Sequence, residues 1–130
     1  MMKARAIAIV GLTLSLGLTL GTPALCAEVG SAETMAAILI DLNHLPTDAQ
    51  KETLQAIVDD GAASEQEQAV ATAMINLQHK ATAADKEKMK AIMDDESASA
   101  DLRELAGVVY RLNHKPDDSD KAKLSALIGN

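Results

Sequence analysis

A chain of 130 residues and 13.6 kDa has room for one ordinary domain, and 48% hydrophobic with 24% charged residues fits neither a disordered tail nor a multi-span membrane protein. A formal charge of −7 excludes nucleic acid and anionic membrane as natural partners, because both need clustered Lys and Arg. One Cys excludes a disulfide framework and a Cys-based zinc site, and a core with no Trp, no Phe and a single Tyr must be built from Ala, Leu, Ile, Val and Met.

The first stretch of chain reads as a targeting segment. Lys3 and Arg5 are the only charges before Glu28, the run between them centres on Ile7, Ile9, Val10, Leu12, Leu14, Leu16, Leu18 and Leu20, and small residues follow Pro23 at Ala24, Cys26 and Ala27. A basic start, an apolar middle and a small-residue end are the three parts of a secretory signal peptide, expected over residues 1–27 with cleavage after Ala27, or alternatively after Cys26. A retained anchor is the poorer reading because Gly, Thr, Ser and Pro shorten the apolar part to roughly 15 residues, below the ~20 of a spanning helix. Bulky Leu25 argues against a lipid anchor on Cys26. Cleavage would reduce 12 basic residues to 10 against 19 acidic ones, taking −7 to −9, and would leave no Cys. An exported chain without disulfides points to a periplasmic or secreted location, with no stable membrane insertion after cleavage.

Residues 28–130 are then expected to be a single α-helical repeat domain with a period of 35. Residues 36–70 laid on 71–105 give 14 identities, and 106–130 continue the register without a gap. Five columns are identical in all three copies: Ala36, Ala71 and Ala106; Leu42, Leu77 and Leu112; His44, His79 and His114; Lys51, Lys86 and Lys121; Ala56, Ala91 and Ala126. Each copy reads as a helical hairpin. Met35, Ile38, Leu39 and Leu42 open the series with the i, i+3, i+4, i+7 stripe of an amphipathic helix, which Val70, Ala73, Met74 and Leu77 repeat, as do Leu105, Val108, Val109 and Leu112. Ile40, Ile75 and Tyr110 add a second apolar edge, so these first helices should be the inner layer.

The second helix of each copy has a narrower stripe (Leu54, Ile57, Val58 in the first) and should lie outside. Thr47 with Gln50, Thr82 with Asp85, Asp117 with Asp120 and Ser64 with Glu67 are N-cap patterns, and Pro46 and Pro116 stand where the preceding helix must have ended. The expected fold is all-α, with six helices near 32–44, 48–60, 65–79, 83–95, 100–114 and 118–128, stacked as a short α-solenoid or closed into a compact helical bundle. The unit has the length of a tetratricopeptide repeat but lacks that family's Trp, Leu-Gly, Tyr and Phe positions, so no family is assigned.

His44, His79 and His114 are the only histidines and share one column. Placed in the last turn of the first helices, their imidazoles would bond free carbonyls and offset the negative end of the dipole, which is the expected role. The alternative is ligation of a Zn, Cu or Ni ion, opposed by the 8–10 Å that would separate equivalent positions in a helical stack. Asp59-Asp60 and Asp94-Asp95-Glu96 suggest a cation site but match no EF-hand spacing and read as solvated helix ends. Met35, Met74, Met89 and Met93 fall on the apolar stripes and read as core. No nucleophile–base pair, phosphate loop or His-Glu-x-x-His is present. The expected function is therefore a non-enzymatic binding or scaffolding module without a cofactor, whose partner is another protein; the alternative is a periplasmic metal-binding or metal-buffering protein using the histidine row.

Overall fold

In the computed structural model residues 29–129 are described. The expected signal segment 1–27, with Cys26, lies outside them. Six α-helices follow one another: α1 Ser31–Asp41, α2 Asp48–Asp59, α3 Glu65–Ile75, α4 Ala83–Asp94, α5 Ala100–Arg111 and α6 Asp118–Ile128. The fold is all-α. None of these helices is long and apolar enough to cross a membrane.

The starts of the helices are fixed by side chains that replace missing backbone partners. Thr47 Oγ1 accepts from Gln50 N–H (3.2 Å) while Gln50 Oε1 accepts from Thr47 N–H (2.9 Å), and Ser64 and Glu67 make the same reciprocal pair at 3.2 and 2.7 Å. Thr82, Ser99 and Asp117 cap α4, α5 and α6 by accepting from Asp85, Leu102 and Asp120 N–H groups. Each such cap is worth about 1 kcal/mol. The breaks are thus written locally, and the chain must reverse between them.

The packing is a closed arrangement. Each second helix lies chiefly along the first helix of the next hairpin, α2 on α3 and α4 on α5, and α6 returns to lie along α1. The first helices α1, α3 and α5 touch one another in the middle, whereas α2, α4 and α6 do not meet. This is a compact bundle with an approximate three-fold plan. Equivalent positions are buried alike: Met35, Val70 and Leu105 on the inner helices and Leu54, Met89 and Leu124 on the outer ones are fully enclosed. Ala36, Ala71 and Ala106 are also fully buried, and a methyl group there lets the inner helices approach closely. The expected second edge is only half inside, since Ile40 and Ile75 are partly buried and Tyr110 is exposed, its ring covered by Lys86 Nζ at 5.7 Å from the centroid.

Two buried carboxylates tie the end of a first helix to the start of the next. Asp85 accepts from Thr82 Oγ1 (2.8 Å) and Asn76 Nδ2 (3.4 Å), and Asp120, one repeat later, accepts from Arg111 Nη2 at 2.8 Å. Arg111 reaches it by lying over Gly107, where an added Cβ would stand 3.0 Å from the guanidinium Nη1. The first hairpin has Gln50 in this column and spends it on the Thr47 cap instead.

Candidate functional site

The first helices stop earlier than their apolar stripe suggests. They end at Asp41, Ile75 and Arg111, so His44, His79 and His114 lie three or four residues past the helices and outside the last turn. Leu42 and Leu112 cap α1 and α5 in extended backbone and, with Leu77, still point into the core at 3% exposure. The stripe therefore runs through the helix end, and the histidines are carried on the loop beyond it.

That loop is tightly folded. His79 and His114 have φ of 68° and 69°, the left-handed region that costs a residue with a Cβ about 1–2 kcal/mol. Lys115 N–H bonds to Asn113 O at 2.9 Å across His114, a γ-turn of the strained kind, and Gln78 N–H bonds to Lys80 O at 3.3 Å across His79. The two turns are joined by a backbone hydrogen bond from His114 N–H to the His79 carbonyl. No hydrogen bond between an imidazole and a helix carbonyl is present among the described residues; the ring contact that is made joins His114 Nδ1 and Asn113 Oδ1 at 2.9 Å.

Closure of the bundle brings all three turns to one place. The ring centroids of His79 and His114 are 4.9 Å apart, those of His44 and His114 5.8 Å, and those of His44 and His79 6.0 Å. The 8–10 Å separation expected for equivalent positions in a stack does not apply, because the copies surround an axis and their loops converge on it. Metal–nitrogen bonds of ~2.0–2.1 Å put an imidazole centroid about 3.2 Å from a bound ion, and three ligands in tetrahedral directions then have centroids about 5 Å apart. The observed triangle is close to that size.

The rings do not stand as a finished cage. His44 meets the other two edge-on, at 87° and 89°, and no group of three His, Cys, Asp or Glu among the described residues has its donor atoms already gathered for an ion. Sharing one ion requires turning the rings about χ2, a broad and soft torsion. All three side chains are exposed, and what adjoins the rings is chiefly one another and, at His114, the Asn113 amide. In the tautomer that donates Nδ1–H to Asn113 Oδ1, His114 Nε2 carries the lone pair a metal needs, the usual division of labour in a ligating histidine.

The other candidates resolve differently. Met35, Met74 and Met89 are fully buried and Met93 packs against the core, which leaves none of them as a surface thioether site. Asp60 and Asp95 cap α2 and α4 and fold the chain back: Asp60 Oδ1 accepts from Ala62 N–H (2.9 Å) and Asp95 Oδ1 from Ser97 N–H (2.8 Å). Asp59 accepts from Gln55 Nε2, and Asp94 pairs with Lys90 at 2.6 Å on an exposed face, where the bond to Asp94 raises the Lys90 ammonium above its usual range. Asp60 and Asp95 are thus turn-formers, and Asp59 and Asp94 partners within their own helices.

Asp95 is also held below the usual carboxylate range, first by the Ser97 hydroxyl, then by the Ser97 amide, with Gln66 adding to them. A depressed folded-state value means stabilisation that is complete above the ordinary value of 3.8 and is lost as pH falls through the folded one. Asp95→Ala is therefore expected to melt at a lower temperature than the parent at pH 7, with the gap narrowing as thermal scans are taken down below pH 3.8. A gap independent of pH over that range would show that the turn does not depend on the ionised carboxylate.

Comparison of the chain with protein-family models, curated proteins and solved structures gives no match.

Proposed function

We propose that this protein binds a single divalent transition-metal ion, of the Zn, Cu or Ni class, through His44, His79 and His114, and that it does so as an exported, periplasmic or secreted, binding protein without catalysis. The observation that carries the reading is the convergence of the three imidazoles at centroid distances of 4.9–6.0 Å. Imidazole suits these three metals, and an exposed site on loops allows loading and release. The basic, apolar and small-residue segments before Glu28 support export. A scaffold of the helical-repeat type works through an extended concave face. With α6 lying along α1 the copies close on themselves, and that argument for a protein partner falls away.

The test is a titration of the mature protein with Zn²⁺, Cu²⁺ and Ni²⁺, read by calorimetry and by thermal unfolding. One ion per chain is expected. Binding to the native state alone stabilises by RT ln(1 + [L]/Kd), about 2.7 kcal/mol at a hundredfold excess over Kd. Because protons compete with the ion for imidazole nitrogen, the stabilisation should weaken as the solution is made acidic. Each single His→Ala variant should lose most of it, because all three rings serve one ion. Binding that survives in the triple His44→Ala, His79→Ala, His114→Ala variant would place the ion elsewhere.

A further inference from the structure

Beside His79 lies an open groove of about 620 Å³ between the first and second hairpins, with Leu45 and Lys51 on one side and Ile75, Asn76 and Gln78 on the other. One repeat later the equivalent side chains meet across the interface. Tyr110 stands where Ile75 does, and Lys86, the counterpart of Lys51, lies over its ring. Ile75 is smaller than the Tyr110 of the next copy, and Leu45 replaces Lys80 with an apolar wall. Among the described residues Lys51 makes no ion pair. The groove thus combines the Lys51 cation, an apolar lining of Leu45, Ile75 and Leu77, and one edge of the histidine cluster.

Resting on the metal reading, we propose that the groove and the ion form one composite site for a small carboxylate with an apolar tail. Three histidines supply three ligands to an ion that commonly takes four, so one position is open to an outside donor, as in zinc sites that keep a water. A carboxylate oxygen fills that position. Its negative charge is shared with the Lys51 ammonium, and its tail covers Leu45 and Ile75. The same arrangement selects against cations, which the metal and Lys51 repel, and favours carboxylates with a few carbon atoms over acetate, because each buried CH₂ adds about 0.8 kcal/mol, roughly fourfold in affinity.

Co²⁺ is the probe, since its visible bands report both its own binding and any change of the fourth ligand. The Co²⁺-loaded full-length mature protein is titrated with acetate, butyrate and butylamine at constant ionic strength. The expected result is a spectral change with butyrate at a concentration at least tenfold lower than with acetate, and none with butylamine. Lys51→Met should weaken butyrate by about tenfold while leaving the Co²⁺ affinity unchanged, and Ile75→Tyr, which copies the Lys86–Tyr110 arrangement of the next copy and puts a larger side chain into the groove, should abolish the preference for butyrate over acetate. Co²⁺ bands with no response to either carboxylate, or equal responses untouched by Lys51→Met and Ile75→Tyr, overturn the composite site and leave the metal reading standing. Absence of Co²⁺ bands overturns both.

Discussion

Removal of residues 117–130 is expected to abolish cooperative thermal unfolding, although five of the six helices remain. The reason lies in closure. α6 lies along α1, so its loss uncovers a flank of the first helix as well as deleting Leu124 and Leu127 from the core. Two leucines alone represent about 3–6 kcal/mol of burial, and a domain of ~100 residues without aromatic anchors has a total margin of about 5–15 kcal/mol. Circular dichroism of the truncated protein should show a broad, non-sigmoidal loss of helix. Point substitutions refine the test. Leu54→Ala and Leu124→Ala remove fully buried side chains from one column in the first and last copies, and each should cost about 2–5 kcal/mol. In an open stack only α6 is an end helix and frays first, so Leu124→Ala should cost less than Leu54→Ala, whose helix lies between α1 and α3; in a closed bundle α6 is covered by α1 and the two losses should be similar. A truncated protein that melts as sharply as the parent would mean that the hairpins fold independently of the ring.

The sequence carried the elements well and their assembly poorly, for a physical reason. Capping patterns such as those at Thr47, Ser64 and Thr82 involve residues three apart, so the starts of α2 to α6 are legible from local spacing, whereas α1 follows Gly30 and has no side-chain cap. The ends of α1, α3 and α5 were placed too late because Leu42, Leu77 and Leu112 keep the helical period after the helix has stopped; an extended cap can point a leucine inward as well as another turn can. Read as helix throughout, that period carries His44, His79 and His114 into the last turn and suggests a dipole role, whereas the helices end before them. Their convergence was illegible for a different reason. Whether copies stack in a line or around an axis is decided by contacts 70 or more residues apart along the chain, α1 with α6, and no periodicity reports them. One signal was available: a column invariant in three copies is what a three-fold cluster requires. The groove beside His79 could not be read at all, because it depends on Ile75 and Tyr110 being unequal neighbours of equivalent lysines.

Replacing His79 and His114 together by glycine is expected to separate stability from function in one variant. At φ of 68° and 69° each histidine bears the left-handed penalty of about 1–2 kcal/mol, which glycine does not. Glycine in turn gives back about 0.4–1 kcal/mol through the freedom it adds to the unfolded chain. The balance predicts a metal-free double variant as stable as the parent or more stable by up to about 1.6 kcal/mol per site. Alanine cannot enter the left-handed region so cheaply, so His79→Ala should be less stable than His79→Gly. In the presence of Zn²⁺ or Cu²⁺ the order reverses: the parent gains about 2.7 kcal/mol at a hundredfold excess over Kd, and the glycine variant, with one imidazole left, gains almost nothing. Had the imidazoles served the helix ends, their removal would cost about 0.5–2 kcal/mol each whether or not metal is present. Thermal or urea unfolding of parent, glycine and alanine variants with and without metal therefore distinguishes the two roles by sign. A strained backbone position that keeps histidine where glycine would be more comfortable has its explanation in what the ring does, and strain of this kind gathers at functional sites. A glycine variant less stable than the parent without metal would return the histidines to a structural role.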